Sequence, residues 1–339
     1  IKKFWIYAIK IDCMDIAKEY TKINNSYKKT VVFKIGDEAG FFSEYNNMIL
    51  AMLYCLENKY RFVLTSKNAN FASGKGWQDY FSPFCEEKNT DFHLALNHRP
   101  YNQKYIYPAY RRILKKMHLV KSVGIDFPLG YKMLKYFRLV PMITQEIFDD
   151  VRKLKPQKLY EYPTLNIKGN LKSACQKICE ITWRFNPEVE NNVAEIMKVI
   201  NLPSAYIGMH IRSGDKLVEH QLFKPATYFK KVERRTTVRN VFILTDDYHV
   251  IEEVQKSFPE WKVFTTCKPE ERGYFHKEFM KKDKAIIKEE SVKLFASIEI
   301  LAKAQMVVGT YSSNPGMFLG MKINSDKFIG VDFKTWQLW

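Results

Sequence analysis

Long apolar runs are missing from this 339-residue chain: nowhere do eighteen apolar residues follow one another, which leaves no candidate for a membrane-spanning helix. Cysteine is sparse. Cys13, Cys55, Cys85, Cys175, Cys179 and Cys267 are too few and too irregularly spaced for a small disulfide scaffold. Cys175 and Cys179 find no second pair that would complete a zinc site; a spacing of four puts both on one helical face, where core packing is expected. Acidic residues are in deficit, with 37 Asp and Glu against 54 Lys and Arg and a formal net charge of +17. That imbalance favours phosphorylated small molecules, polyanions or an anionic membrane surface as partners. The basic residues are nevertheless scattered, in doublets no longer than Arg111-Arg112 or Arg234-Arg235, so there is no dense arm for DNA and nucleic acid is not an expected partner. Internal repeats and low-complexity segments are also missing, which excludes solenoids and disordered tails. The first residues, Ile1-Lys2-Lys3, offer neither a methionine nor a secretory h-region, as in a trimmed catalytic region whose signal or anchor lies upstream.

What remains is 46% hydrophobic and long enough for a full core and two domains. In the first half, Thr30 to Ile35 reads as a strand, Gly36 to Gly40 as a turn, Ser43 to Lys59 as a helix with Ser43 as N-cap, and Arg61 to Thr65 as a second strand. This βαβ unit implies a parallel pair. The aromatics Phe71, Trp77, Tyr80 and Phe81 could line a sugar site or anchor loops in the core. Tyr101 to Phe137 is basic, aromatic and interrupted by prolines. It fits an acceptor groove, a membrane-facing patch or solvated surface equally well. Thr144 to Lys155 is predicted as a helix capped by Thr144, Tyr160 to Leu171 as irregular, and Lys172 to Trp183 and Val189 to Ile200 as helices. Leu202-Pro203-Ser204 then separates a domain of residues 1–203 from one of residues 204–339.

The second half is the more regular. Strands are predicted at Tyr206 to Ile211, Asn240 to Thr245, Trp261 to Thr265 and Gln305 to Gly309. Helices alternate with them at Pro225 to Arg234, Val250 to Phe258, Asp283 to Ala304 and from Met317, a doubly wound α/β pattern. In such sheets ligands sit beyond the carboxyl ends of the strands. Three predicted strand ends carry polar groups that could converge there: His210 with Arg212, Asp246 with Asp247, and Ser312 with Ser313. A guanidinium at Arg212 can clasp a phosphate with two parallel hydrogen bonds, and the serines precede a helix N-terminus suited to phosphate. Each also has a structural reading, since both the aspartates and the serines are common helix caps. A single acidic pair is too little for a metal.

The order His210-Ile211-Arg212-Ser213-Gly214-Asp215-Lys216, then Thr245-Asp246-Asp247, then Tyr311-Ser312-Ser313 resembles the α-1,6-fucosyltransferases, the animal N-glycan core enzyme and its rhizobial nodulation relative. Asn70 to Gln78 is similar to that family's Tyr-Ala-x-Gly-Gly-Trp-Glu segment, and Tyr274-Phe275-His276-Lys277 to a later one; the likeness runs from Phe33 to Asp332. The resemblance implies an α/β fold of two Rossmann-like lobes, GT-B-like, with the nucleotide in the C-terminal lobe and the acceptor on the N-terminal side. It further implies inverting, metal-independent transfer of L-fucose from a GDP-fucose donor to an oligosaccharide or glycan acceptor, with no cofactor. By the same resemblance Arg212 binds the β-phosphate, His210 lies against guanine or ribose, Ser312 and Ser313 hold phosphate oxygens, and Tyr311 belongs to the donor site. Asp215 and Lys216 sit beside the sugar, and Asp246 or Asp247 positions the donor. This chain departs from the pattern in places. Ser213 replaces a second arginine. The catalytic glutamate falls at His220, with Glu219 one residue before it, so either can be the base. The acidic reader of guanine falls at Ser297, with Glu299 two residues on. The animal enzyme's SH3-like domain has no counterpart before Trp339. In size the chain is nearer to the bacterial relative, which points to a cytoplasmic, membrane-peripheral setting, the alternative being the Golgi lumen.

Overall fold

A computed structural model describes residues 16–37, 39–99, 140–213 and 223–338. Helix α1 (residues 16–26) leads into β1 (Lys29–Lys34), which is followed by α2 (Phe41–Glu57) and β2 (Tyr60–Thr65). β1 and β2 pair in parallel, with Val31 opposite Phe62 and Phe33 opposite Leu64. After α3 (Asp91–Leu96), β3 (Met142–Ile143) joins the other edge of β1, giving the order β2-β1-β3. The alternation of β1 and β2 sends Val31, Phe33, Phe62 and Leu64 to one face. There they share a core with Tyr45, Ile49 and Met52 of α2.

The predicted βαβ unit is therefore present, with its helix starting earlier than expected. Gly40 occupies the N-cap position of α2 without a side-chain cap, and Ser43 lies inside the first turn. The start is set by aromatic packing. The Phe41 ring lies 4.8 Å from that of Phe295, and the Phe42 ring 4.8 Å from that of Phe318, centroid to centroid. Thr144 is likewise not a cap of α4 (Thr144–Val151), because its hydroxyl accepts from the Lys34 amide at 2.7 Å and ties the helix to the end of β1. Residues 160–171 are not irregular. They hold an antiparallel hairpin of β4 (Tyr160–Tyr162) and β5 (Ile167–Gly169), with Asn166 in the left-handed region at the turn. Trp77, Tyr80 and Phe81 are buried in the core, which decides for the anchoring role over a sugar platform.

Two helices, α5 (Leu171–Thr182) and α6 (Pro187–Ile200), lead to the second sheet. Cys175 and Cys179 are free and buried on the inner face of α5, as their spacing implied. Next come β6 (Ile207–His210), α7 (Pro225–Val232), β7 (Asn240–Leu244), α8 (Tyr248–Ser257), β8 (Lys262–Phe264), the single turn α9 (His276–Phe279) and α10 (Lys284–Lys303). β9 (Met306–Gly309), α11 (Asn314–Lys322) and β10 (Phe328–Gly330) complete the sheet. All its neighbours are parallel, in the order β10-β9-β6-β7-β8. On one face Ile207, Met209, Val241 and Ile243 bury against Phe229 of α7 and Ile251 of α8. On the other, Phe242 and Val307 belong to the same core as the N-terminal sheet, through α10 and α11. Gly208 lets α10 come close, since a Cβ there would stand 2.7 Å from the Leu301 side chain.

The strand order decides where a ligand can go. β6 has β7 on one side and β9 on the other, so the chain leaves β6 in one direction and returns on the opposite side. That reversal opens a crevice beyond the carboxyl end of β6, where His210 and Arg212 stand.

Candidate active site

The crevice widens into a cleft of about 880 Å3, walled by the C-terminal strand ends on one side and by residues 39–43 of the N-terminal lobe on the other. Arg212 lies on its floor, 17% exposed, and donates from Nη1 to Asp246 Oδ2 at 2.5 Å. The guanidinium sits over the Tyr274 ring, 5.3 Å from its centroid. Asp246 also accepts from the backbone amides of Ser213 at 2.9 Å and Tyr274 at 3.0 Å. One carboxylate thus binds the end of β6 to the segment before α9 and fixes the direction of the arginine. Asp247 takes the capping role that the sequence also allowed: it accepts from the His249 amide at 3.0 Å at the start of α8. Among the described residues no group of His, Cys, Asp and Glu is arranged to hold a metal ion.

His210 is 3% exposed, lines the cleft, and its buried Nδ1 has no hydrogen-bond partner. Burial, reinforced by the neighbouring Arg212 charge, lowers its pKa to about 3, so the ring is neutral in the folded protein. The linkage has a definite sign. The unfolded chain takes up this proton near pH 6.5 and the folded one only near pH 3, so stability present above pH 6.5 is lost as pH falls across that interval. His93, lowered to about 4 by burial and then by Lys88, adds in the same direction. Urea titrations at pH 7 and pH 4.5 should show a loss for the parent chain that is smaller in His210→Gln. Equal losses in both would remove His210 from this account.

The remaining expected residues are placed differently. Tyr311 is buried and stacked on Phe328 at 4.7 Å, and burial raises its hydroxyl to about 12. The Tyr311 and Ser312 amides donate to Asp332 at 2.9 and 2.8 Å. Ser313 caps α11 by accepting from the Gly316 amide at 3.2 Å. Position 316 must be glycine, because a Cβ there would stand 1.7 Å from the Thr310 carbonyl oxygen. The two serines therefore shape the turn, and Asn314 and Pro315, next in the chain, line the cleft. Glu299 faces away from it. The carboxylate accepts from Trp183 Nε1 at 2.7 Å and pairs with Lys322 at 2.9 Å, while Ser297 lines the cleft and shares a 2.7 Å hydrogen bond with Thr266. Asp215, Lys216, Glu219 and His220 lie outside the described residues.

Sequence reasoning missed the N-terminal wall. The Glu44 carboxylate is fully buried, accepts from the Gly36 and Ala39 amides at 3.1 and 3.2 Å, and pairs with Arg99 at 2.7 Å. It thereby anchors the turn that carries residues 39–43 to the cleft. Burial raises its pKa, against the pull of Arg99. Lys293 and Glu271, an ion pair on the cleft wall, were also missed. Neither pairing has a sequence signal, since its partners lie 55 and 22 residues apart.

Residues 175–315 match the family described as alpha-(1,6)-fucosyltransferase N- and catalytic domains. No curated protein sequence matches the chain. Among solved structures, the NodZ alpha-1,6-fucosyltransferase soaked with GDP-fucose is similar at 14% identity and a TM-score of 0.50, over 87% of this chain and 93% of that one. The fucosyltransferase NodZ from Bradyrhizobium is similar at 13% identity and 0.49, over 88% and 93% or more of the two chains. An Arabidopsis thaliana FUT1 mutant in complex with GDP follows at 14% and 0.47, over 91% and 72%. The matched residues 175–315 hold His210, Arg212, Asp246 and the cap of α11, so the region that resembles the α-1,6-fucosyltransferases is the one that builds the cleft floor, on a GT-B fold of two α/β lobes.

Proposed function

We propose that the protein transfers L-fucose from GDP-fucose to a hydroxyl of an oligosaccharide or glycan acceptor, with inversion at the anomeric carbon and without a metal ion. The observation that carries this reading is Arg212 on the floor of the interlobe cleft, aimed by Asp246 at the switch point of the sheet. A base, Glu219 or His220, removes the proton from the acceptor hydroxyl. The oxygen then attacks the anomeric carbon from the face opposite the nucleotide, and the bond to the β-phosphate oxygen breaks. Negative charge grows on departing GDP, and a guanidinium already aimed by Asp246 stabilises that charge without having to move. Neutral His210 offers a buried hydrogen-bonding edge to the base or ribose, and the N-terminus of α11, fixed by Ser313, completes the phosphate floor. Asp215 and Lys216 are assigned to the sugar.

One observation favours a second reading, the same reaction with another nucleotide sugar. On α10 the hydroxyl of Ser297, hydrogen-bonded to that of Thr266 after β8, stands where the family's acidic reader of guanine is expected, and Glu299 is turned away. Incubation with GDP-fucose and, separately, with UDP-sugars in the presence of EDTA tests both. Release of GDP from GDP-fucose, with a new linkage whose anomeric proton coupling is opposite to the donor's, is the expected result. Turnover confined to UDP-sugars, or activity lost with EDTA, would overturn the donor or the metal-free mechanism respectively.

A further inference from the structure

Beyond the cleft, the N-terminal lobe has a second cavity, of about 520 Å3, at the opposite end of its sheet. The register shows how it is built. Thr30 pairs with Arg61 and Val32 with Val63, and the bridge between Leu64 and Glu87 carries the same alternation onto Glu86 and Lys88. Thr30, Arg61, Val63, Glu86 and Lys88 therefore share one face, opposite the face covered by α2. Val63 and Met142 line the cavity as apolar surface.

Its lining holds four cations, Lys28, Lys29, Arg61 and Lys88, and one carboxylate, Glu86. Glu86 pairs with Arg61 Nη2 at 2.5 Å and so fixes the guanidinium, whose Nε is buried without a hydrogen-bond partner. Lys29 Nζ lies over the Tyr60 ring, 5.8 Å from its centroid. Among the described residues neither Lys28, Lys29 nor Lys88 forms an ion pair. Three unneutralised ammonium groups and an oriented guanidinium around one concavity repel one another, and a bound anion would relieve that repulsion.

We propose that this cavity is a second anion site, separate from the catalytic cleft, that receives a phosphate group. Arg61 supplies the directed donors and Lys28, Lys29 and Lys88 the surrounding charge. The phosphate can come from a soluble phosphate ester or from a phosphorylated lipid headgroup, since both present the same group to these donors. The site stands independently of the donor assigned to the cleft.

Calorimetric titration of inorganic pyrophosphate into Arg212→Ala protein, in which the cleft is disabled, tests the proposal. One binding event is expected, weakened at least tenfold by Arg61→Ala and by Lys88→Glu and falling steeply with salt. Lys88 is exposed, and an unchanged urea midpoint in Lys88→Glu keeps the comparison valid should Arg61→Ala unfold. Phosphatidylcholine vesicles with and without a phosphorylated inositol lipid separate the two sources. Co-sedimentation that needs the phosphorylated inositol lipid and is lost in Lys88→Glu identifies the membrane, whereas pyrophosphate binding without co-sedimentation identifies a soluble ester. No pyrophosphate binding in Arg212→Ala, or binding that Lys88→Glu leaves unchanged, overturns the site.

Discussion

Arg212→Ala is expected to lower kcat/KM for transfer from GDP-fucose by about 100- to 1,000-fold, the usual effect of removing one preorganised donor from the site of developing charge. Two changes act together. The leaving diphosphate loses its cation, and Asp246, which now pairs with that cation at 2.5 Å, becomes an uncompensated carboxylate beside it. Two backbone amides would still hold Asp246 in place, so its repulsion of phosphate would persist. Arg212→Lys should recover only part of the rate, because an ammonium keeps the charge and lacks the planar fork. Asp246→Asn should be milder than Arg212→Ala, since the arginine keeps its charge but loses part of its aim. Steady-state kinetics at saturating acceptor are the check, and an Arg212→Ala rate within twofold of the parent would remove the arginine from the chemistry.

Phe295→Ala is expected to destabilise the fold by about 3–5 kcal/mol, the range for deleting a buried aromatic side chain. Phe295 is fully buried on α10, with its ring 4.8 Å from Phe41, 5.3 Å from Phe81, 5.4 Å from Tyr80 and 5.3 Å from Trp183. These partners come from the N-terminal sheet unit and the end of α5, so this ring fastens the second lobe to the first. It also lines the cleft, as does Phe41. A hole here should therefore weaken nucleotide binding as well as lower the urea midpoint. Phe295→Leu, which leaves a smaller hole, should lose distinctly less of both. A midpoint shift in Phe295→Ala no larger than that of an exposed substitution would mean that the lobes are held together elsewhere.

These two residues differ in how far they could be read from sequence. The long helix was legible because Val292, Phe295, Ile298 and Leu301 recur at helical spacing, and all four are buried. Arg212 was legible because a short apolar strand ends in front of it. Glu299 was assigned to the donor, yet residues two apart on a helix lie about 200° apart around its axis, so when Ser297 faces the cleft Glu299 cannot. The β4–β5 hairpin went unseen because strands of three residues give too short an alternation to register, and its turn rests on the left-handed Asn166. Ser43 looked like a cap by residue type, whereas ring packing of Phe41 and Phe42 moved the helix start. The bond from Asp246 to Arg212 was illegible for a different reason: it joins the ends of two strands, and only the sheet brings them together.

The most direct test of the central claim is a calorimetric titration of the purified protein with GDP, UDP and ADP, with and without EDTA and again with Arg212→Ala. Selective binding of GDP that survives EDTA and collapses in the variant is the predicted result. Preference for UDP or ADP, or GDP binding unaffected by the loss of Arg212, would contradict a GDP-sugar site built on this arginine.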